Sequence, residues 1–197
     1  MADSKQQPDT SGTICYTTAN SEEDLQGILA LQKANLTSAL SIEEVQTQGF
    51  VTVAHTYTQL KNLNDREKHI IAKENNMVVA YLLAMTSLSK SDIPILVPMF
   101  DEFDKIAYSG KKVASSDYIV VGQVCVDKKF RRQGIVDKCY NTYKEYYKTK
   151  YSFAITEIAA ANTRSLNAHS RIGFEEIHRY IDPNGLEWII VLWNWNL

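Results

Sequence analysis

VCVDKKFRRQGIV, residues Val124 to Val136, decides the reading of this chain. An apolar strand runs through a basic turn and enters a helix across Gly134. Such a junction points the free N–H groups of a helix start, backed by the positive end of the helix dipole, at whatever lies before it. Its natural guest is a phosphate or pyrophosphate.

The flanking residues supply the elements this requires. Tyr118 to Val126 is rich in β-branched and aromatic residues, with Val120, Gly122, Val124 and Val126 alternating against Ile119, Val121, Gln123 and Cys125. From Gln133 to Lys148, apolar and aromatic residues recur at Ile135, Val136, Cys139, Tyr140, Tyr143 and Tyr147, the stripe of an amphipathic helix.

VDKKFRRQGIV resembles the acyl-CoA signature of the GNAT N-acetyltransferase superfamily, in which a strand ends in Val and an R/Q-x-x-G-x-G/A turn opens the next helix. The pattern falls on Arg131, Gly134 and Val136, with Val136 standing where Gly or Ala is usual. A second stretch, TEIAAANTRSLNAHSRIGF from Thr156 to Phe174, resembles the family's later strand, loop asparagine and helix. The matching residues are Asn162, Ser165, His169, Gly173 and Phe174. One glycine turn is weak evidence, whereas both segments in order are specific. The resemblance runs from Tyr118 onward.

It implies an α/β (α+β) fold of the GNAT type: a mixed central sheet of about six to seven strands, flanked by helices and splayed at the cofactor strand. It also implies transfer of an acetyl group from acetyl-CoA to a primary amine of a small molecule or peptide, by direct attack in a ternary complex. Backbone groups of Val124, Cys125 and Val126 would hold the pantetheine arm. Arg131, Arg132, Gln133, Gly134, Ile135 and Val136 would cradle the pyrophosphate, with Asn162 and Ser165 completing the cofactor site; no metal is implied. The alternative is a catalytically idle acyl-CoA-binding sensor or interaction domain, which the Val136 substitution allows.

Two residues are candidates for proton transfer. His169 stands where the family commonly places a tyrosine that protonates the leaving sulfur, and an imidazole can do the same near neutral pH. It is equally readable as a packed histidine, three residues from both Leu166 and Ile172. A base is harder to place, because Val120, Gly122 and Val124 cannot accept a proton. Glu157, on a strand face with Phe153, Ile155 and Ala159, is the nearest substitute, either as the base or as a structurally paired carboxylate.

Composition bounds the alternatives. The chain has 197 residues, 45% of them hydrophobic and 22% charged, in keeping with one domain over residues 13–197 preceded by a disordered tail over 1–12. The net charge of −2 gives no reason to expect nucleic acid, and the run Lys128, Lys129, Arg131, Arg132 is local to the phosphate turn or else a solvated loop. Cys15, Cys125 and Cys139 lack metal-ligand spacing and read as reduced. No apolar run approaches the ~20 residues of a membrane helix, nor does the N-terminus read as a signal peptide, so a cytoplasmic location is expected. A homodimer is compatible with an edge strand or the tryptophan-rich C-terminus.

The remaining segments fit the same outline. Thr13 to Thr18 reads as a strand; Ser21 and Asp24 cap a helix carrying Leu25, Ile28 and Leu31; a further helix falls between Ile42 and Leu63. His69 to Glu74 and Met77 to Met85 read as a hairpin across Asn75-Asn76. Ser87 to Asp117 is an insertion whose helix begins near Pro98 and could end at Gly110, readable as part of the acceptor site or as a structural flap. Glu176 to Ile181 and Glu187 to Trp195 form a hairpin across Asp182-Pro183-Asn184-Gly185, its tryptophans either lining a pocket or packing in the core.

Overall fold

One parallel contact divides an otherwise antiparallel sheet, and that contact creates the site. The computed structural model describes residues 13–41, 43 and 50–196. Seven strands, β1 (Cys15–Thr18), β2 (Ile70–Glu74), β3 (Met77–Met85), β6 (Tyr118–Val126), β7 (Phe153–Ala159), β8 (Glu175–Ile181) and β9 (Glu187–Asn194), lie in the order β1-β2-β3-β6-β7-β9-β8. A separate ribbon pairs β4 (Ala107–Tyr108) with β5 (Lys111–Lys112). The expected tail over 1–12 lies outside the described residues, as do position 42 and residues 44–49 of the expected second helical region.

Helices α1 (Glu22–Asn35), α2 (Tyr57–Arg66) and α3 (Val97–Lys105) cover one face of the sheet; α4 (Ile135–Tyr147) and α5 (Thr163–Ile172) cover the other. α1 starts where its capping box requires. Ser21 Oγ accepts from the Asp24 N–H at 3.2 Å and Asp24 Oδ2 accepts from the Ser21 N–H at 3.3 Å. The helix then buries Leu25, Ile28 and Leu31 against β3, whose residues from Val78 onward are all buried. At its other end, the β2–β3 turn places Asn75 and Asn76 at φ 47° and 66°, a conformation asparagine tolerates.

α4 buries Ile135, Cys139, Tyr140, Tyr143 and Tyr147, the stripe read from the sequence. Burial pushes the Cys125 and Cys139 thiols up to about 12, so both stay protonated and inert, while Cys15 is exposed.

Two details differ from the sequence reading. The insertion's helix ends at Lys105 rather than at Gly110, because buried Ile106 turns extended and the chain enters the β4–β5 ribbon. Ser109 and Gly110, at φ 49° and 78°, make that ribbon's turn. The second difference is in β6. Ala84 pairs with Val121 and Leu83 with Gln123, so Gly122 is an extra residue, a β-bulge, and strict alternation fails there. Tyr118 and Val120 face the α1 side together with Cys125, while Ile119, Val121, Val124 and Val126 face the α4 side. The bulge leaves Gln123 under α1, where it meets Gln32.

Candidate active site

The parallel pairing of β6 with β7 is short: Tyr118, Ile119 and Val120 stand beside Phe153, Ala154 and Ile155, and no further pairs follow. Thr156 Oγ1 donates to the Val121 carbonyl at 2.7 Å and closes the vertex. Beyond it the strands diverge, leaving the β7-facing edge of Gly122 to Val126 without a strand partner among the described residues. An unpaired edge at a strand's end is a template for an extended, amide-bearing ligand.

At the wide end of this gap lies a cleft of about 510 Å³ in front of α4. Its backbone is shaped for an anion. Gly134, the residue before the helix, has φ 72°, no side chain caps the first turn, and a Cβ built on Gly134 would meet nothing within 4 Å. Arg132 is also left-handed, at φ 65°. Left-handed residues at a helix start belong to the turns that present backbone N–H groups to an anion, and the helix dipole adds to this. Arg131, Arg132 and Arg164 line the cleft. Burial, then the neighbouring Arg131 and Arg132, lower Arg164 from its ordinary value, a sign of concentrated positive charge.

Of the expected cofactor residues, Val124, Cys125, Val126, Arg131, Arg132, Gly134, Ile135, Val136, Asn162 and Ser165 line this cleft together. Gln133 does not: its side chain donates to the Lys129 carbonyl at 3.1 Å and braces the turn instead. The Arg131 side chain is a brace as well, donating to the Val126 carbonyl at 3.1 Å and to Asn35 Oδ1 at 2.6 Å. Val136 packs partly against the core of the α4 face. Asn162 caps α5, its side chain accepting from the Ser165 N–H at 3.2 Å.

A smaller cavity of about 90 Å³ opens where the strands begin to part, sharing Phe50, Val51, Val124, Asn162, Ser165 and His169 with the cleft. Its walls add Val53, Gln123, Glu157 and Trp188. The segment Phe50 to Val53 forms one wall, held by a buried amide network. Gln123 Nε2 donates to the Val53 carbonyl at 2.9 Å; Gln123 Oε1 accepts from Gln32 Nε2 at 2.8 Å and from the Tyr81 hydroxyl at 2.6 Å. Gln32 Oε1 accepts from the His55 N–H at 2.7 Å, and Gln32 Nε2 lies 2.9 Å from His55 Nδ1. Burial pushes His55 down to about 4.

Glu157 lines this cavity, half-buried, its Oε2 accepting from the Tyr180 hydroxyl at 2.5 Å. Burial pushes its carboxyl up to about 7; the Tyr180 hydrogen bond opposes that rise, and the Asp182 and Glu102 carboxylates add to it. A carboxylate with this pKa is matched to accepting a proton near neutrality.

His169 is 2% exposed and both its ring nitrogens are engaged. Nδ1 lies 2.8 Å from the Ser165 carbonyl and therefore carries the proton, leaving Nε2 to accept from the Tyr140 hydroxyl at 2.5 Å. Edge-on contacts with Tyr140 and Phe174 hold the ring, and burial pushes it down to about 4. In this arrangement it is a neutral, packed imidazole with no N–H free for a leaving sulfur. The tryptophans divide: Trp188 lines the small cavity, while Trp193 and Trp195 are buried in the core of the α4 face.

The sequence reading missed Arg164, Gln32, His55, Gln123 and Tyr180. A signal existed for one of them. Glycine in mid-strand is the mark of a bulge, and a bulge at Gly122 would have turned Gln123 to the α1 side.

A family model described as the GNAT acetyltransferase family matches residues 34–174. The chain belongs to the GNAT acetyltransferase family. Solved structures with the same fold agree along nearly the whole chain. The NatC complex bound to Gag peptide and CoA gives a TM-score of 0.63 at 14% identity, covering 92% of this chain and 98% of that one. The ribosomal-protein-S18-alanine N-acetyltransferase from Escherichia coli gives 0.60 at 15%, covering 94% and 99%. An N-acetyltransferase from Staphylococcus aureus Mu50 gives 0.60 at 18%, covering 92% and 98%. No curated protein matches this GNAT chain in sequence. Among its described residues no helix is long and apolar enough to cross a membrane, and no group of three or more His, Cys, Asp or Glu could hold a metal ion.

Proposed function

We propose that this GNAT protein transfers an acetyl group from acetyl-CoA to a primary amine, most readily an α-amine. One observation carries the reading: the open gap between β6 and β7 joins an anion-shaped helix start at Gly134 to a small cavity containing a carboxylate with a pKa near neutrality. Acetyl-CoA supplies an acyl group already activated as a thioester. The protein must hold two reactants in line and accept a proton.

The residues divide that work. The left-handed pair Arg132 and Gly134 offers backbone donors to a pyrophosphate, and Arg132 and Arg164 add positive charge. The free edge of Val124 to Val126 suits an extended, amide-containing arm. Glu157 takes the proton of the incoming ammonium, directly or through one water. Proton affinity favours the acceptor class: an α-ammonium, with pKa about 7.7–8.0, lies within about one unit of Glu157, whereas a lysine at about 10.4 lies more than three units above it. The peptide in the NatC structure and the S18-alanine activity of the E. coli neighbour support a peptide amine over an isolated lysine side chain.

Binding without turnover is the second reading, and the sequestered His169 favours it, since no imidazole N–H is offered to a departing thiolate. Two measurements separate the readings. Acetyl-CoA at 100 times its dissociation constant stabilises the fold by about 2.7 kcal/mol, which thermal unfolding detects. Mass spectrometry then follows acetylation of short peptides with free N-termini and of free amino acids. Stabilisation with acetylation supports transfer; stabilisation without it supports the idle domain; no stabilisation at millimolar acetyl-CoA overturns both.

A further inference from the structure

Tyr180 belongs to β8, the sheet's edge strand, and reaches Glu157 on β7 across the intervening β9. In the ladder, Glu157 stands opposite Ile190, which stands opposite His178; two rows on, the next on the same face, Ala159, Trp188 and Tyr180 are neighbours. The contact is therefore diagonal, and it depends on the β8–β9 register. That register is fixed at the turn: Asp182 Oδ1 accepts from the Asn184 and Leu186 N–H groups at 2.8 and 2.9 Å. Asp182 Oδ2 accepts from Trp188 Nε1 at 3.1 Å, which sets the indole that forms the cavity wall beside Glu157.

We propose that Tyr180 is a positioning residue for Glu157, its hydroxyl holding the carboxylate in one orientation within the acceptor cavity. This rests on the acetyl-transfer reading, in which Glu157 accepts the ammonium proton. A carboxylate on a half-buried strand face, without a donor, would swing toward whatever solvent it could reach. With Oε2 tied to Tyr180, the remaining lone pairs of the group stay available for the amine. Tyrosine suits this role, because burial, the hydrogen bond and the Glu157 charge all keep its own phenol protonated, so it donates at every working pH.

The surrounding charges set the direction of each test. Asp182 from the turn and Glu102 from α3 face the pair and raise the carboxyl's proton affinity, while Tyr180 lowers it. Glu102 is itself partnered by Lys105 at 2.6 Å and lies 3.6 Å from His178. Removing the hydroxyl must therefore move the Glu157 titration up, and removing the Glu102 charge must move it down. A general loosening of the fold would not produce opposite signs.

The experiment is a carboxyl-carbon NMR titration of the full chain, with Glu157→Gln identifying the resonance. Tyr180→Phe, which keeps the packed ring, raises the Glu157 midpoint by about one pH unit; Glu102→Gln lowers it. An unmoved or lowered midpoint in Tyr180→Phe overturns the inference. In parallel, the acid limb of kcat/KM for acetylation of a peptide amine moves up by the same amount in Tyr180→Phe. Transfer by the wild type with an unmoved limb in that variant overturns this inference alone. No transfer by the wild type, to any peptide or amino acid, overturns the acetyl-transfer reading, and the positioning role falls with it.

Discussion

The two ends of the β6–β7 gap are built by different means. The end proposed for the anion is made chiefly of backbone within Val124 to Val136, a glycine and an arginine in left-handed conformations, an uncapped helix start and a strand edge, with the Arg164 side chain added from α5. The end proposed for the amine is made of side chains from distant elements: Gln32 from α1, Gln123 from the β6 bulge, Glu157 from β7 and Tyr180 from β8. A site built from contiguous backbone can be recognised in a short motif. A site assembled from side chains can change its chemistry without disturbing the fold.

Substitutions can break that contrast. The largest effect is expected at the backbone end. Gly134→Trp places an L side chain at φ 72° and fills the open space before α4, so the thermal shift produced by acetyl-CoA disappears while the apo protein stays folded; a retained shift would place the nucleotide elsewhere.

At the other end, Glu157→Gln is expected to lower kcat by about 10²–10⁴-fold, the usual contribution of a positioned base. The wild-type rate constant should rise with pH through about 7, and the variant's should not. The same substitution tests stability with the opposite sense. Because the folded carboxyl holds its proton up to about 7 while the unfolded one ionises near its ordinary value, wild-type stability falls as pH rises between those values. Chemical denaturation at pH 5 and pH 8 should show Glu157→Gln more favourable, relative to wild type, at the higher pH.

Three buried histidines, two beside the gap and His69 under α2, report on the framework. Burial holds His55 and His169 down to about 4 and His69 to about 3. The unfolded chain takes up these protons near pH 6.5, so their contribution is intact above that pH. It is lost as pH falls, at a limiting slope of about 1.4 kcal/mol per pH unit for each histidine. Denaturation between pH 7 and pH 5 should show a steep loss of stability; a flat profile would mean that the rings are not sealed. The smallest effect is expected from Gln123→Leu, which removes the hydrogen bonds that Gln32, Tyr81 and the Val53 carbonyl make to this side chain while the Gln32–His55 contacts remain, and costs about 1–3 kcal/mol. It should weaken acceptor binding more than acetyl-CoA binding, because the network holds the wall of the small cavity.

How much was legible follows from the same division. Ser21 with Asp24, Asn75-Asn76 and Asp182-Pro183-Asn184-Gly185 are local devices set by residues adjacent in the chain, and each marks its boundary in the structure. Hydrophobic period placed α4, and an unbroken apolar run placed β3, for the same reason. The insertion's helix outran its true end because Gly110 is an available terminator by type, whereas the break at Ile106 depends on that side chain being drawn into the core. Alternation in β6 failed at Gly122, where pairing with β3 inserts a bulge.

By itself the sequence determined the mixed α/β order of elements, the strand–turn–helix around Gly134 and the family, because each depends on residues near one another in the chain. Only the tertiary structure decided that Gln133 and Arg131 brace the turn with their side chains, that His169 is sealed against Tyr140, and that Glu157 is held by Tyr180. Those partners are set by strand order and burial, and the proton affinity of a side chain depends on how much water its neighbours leave it.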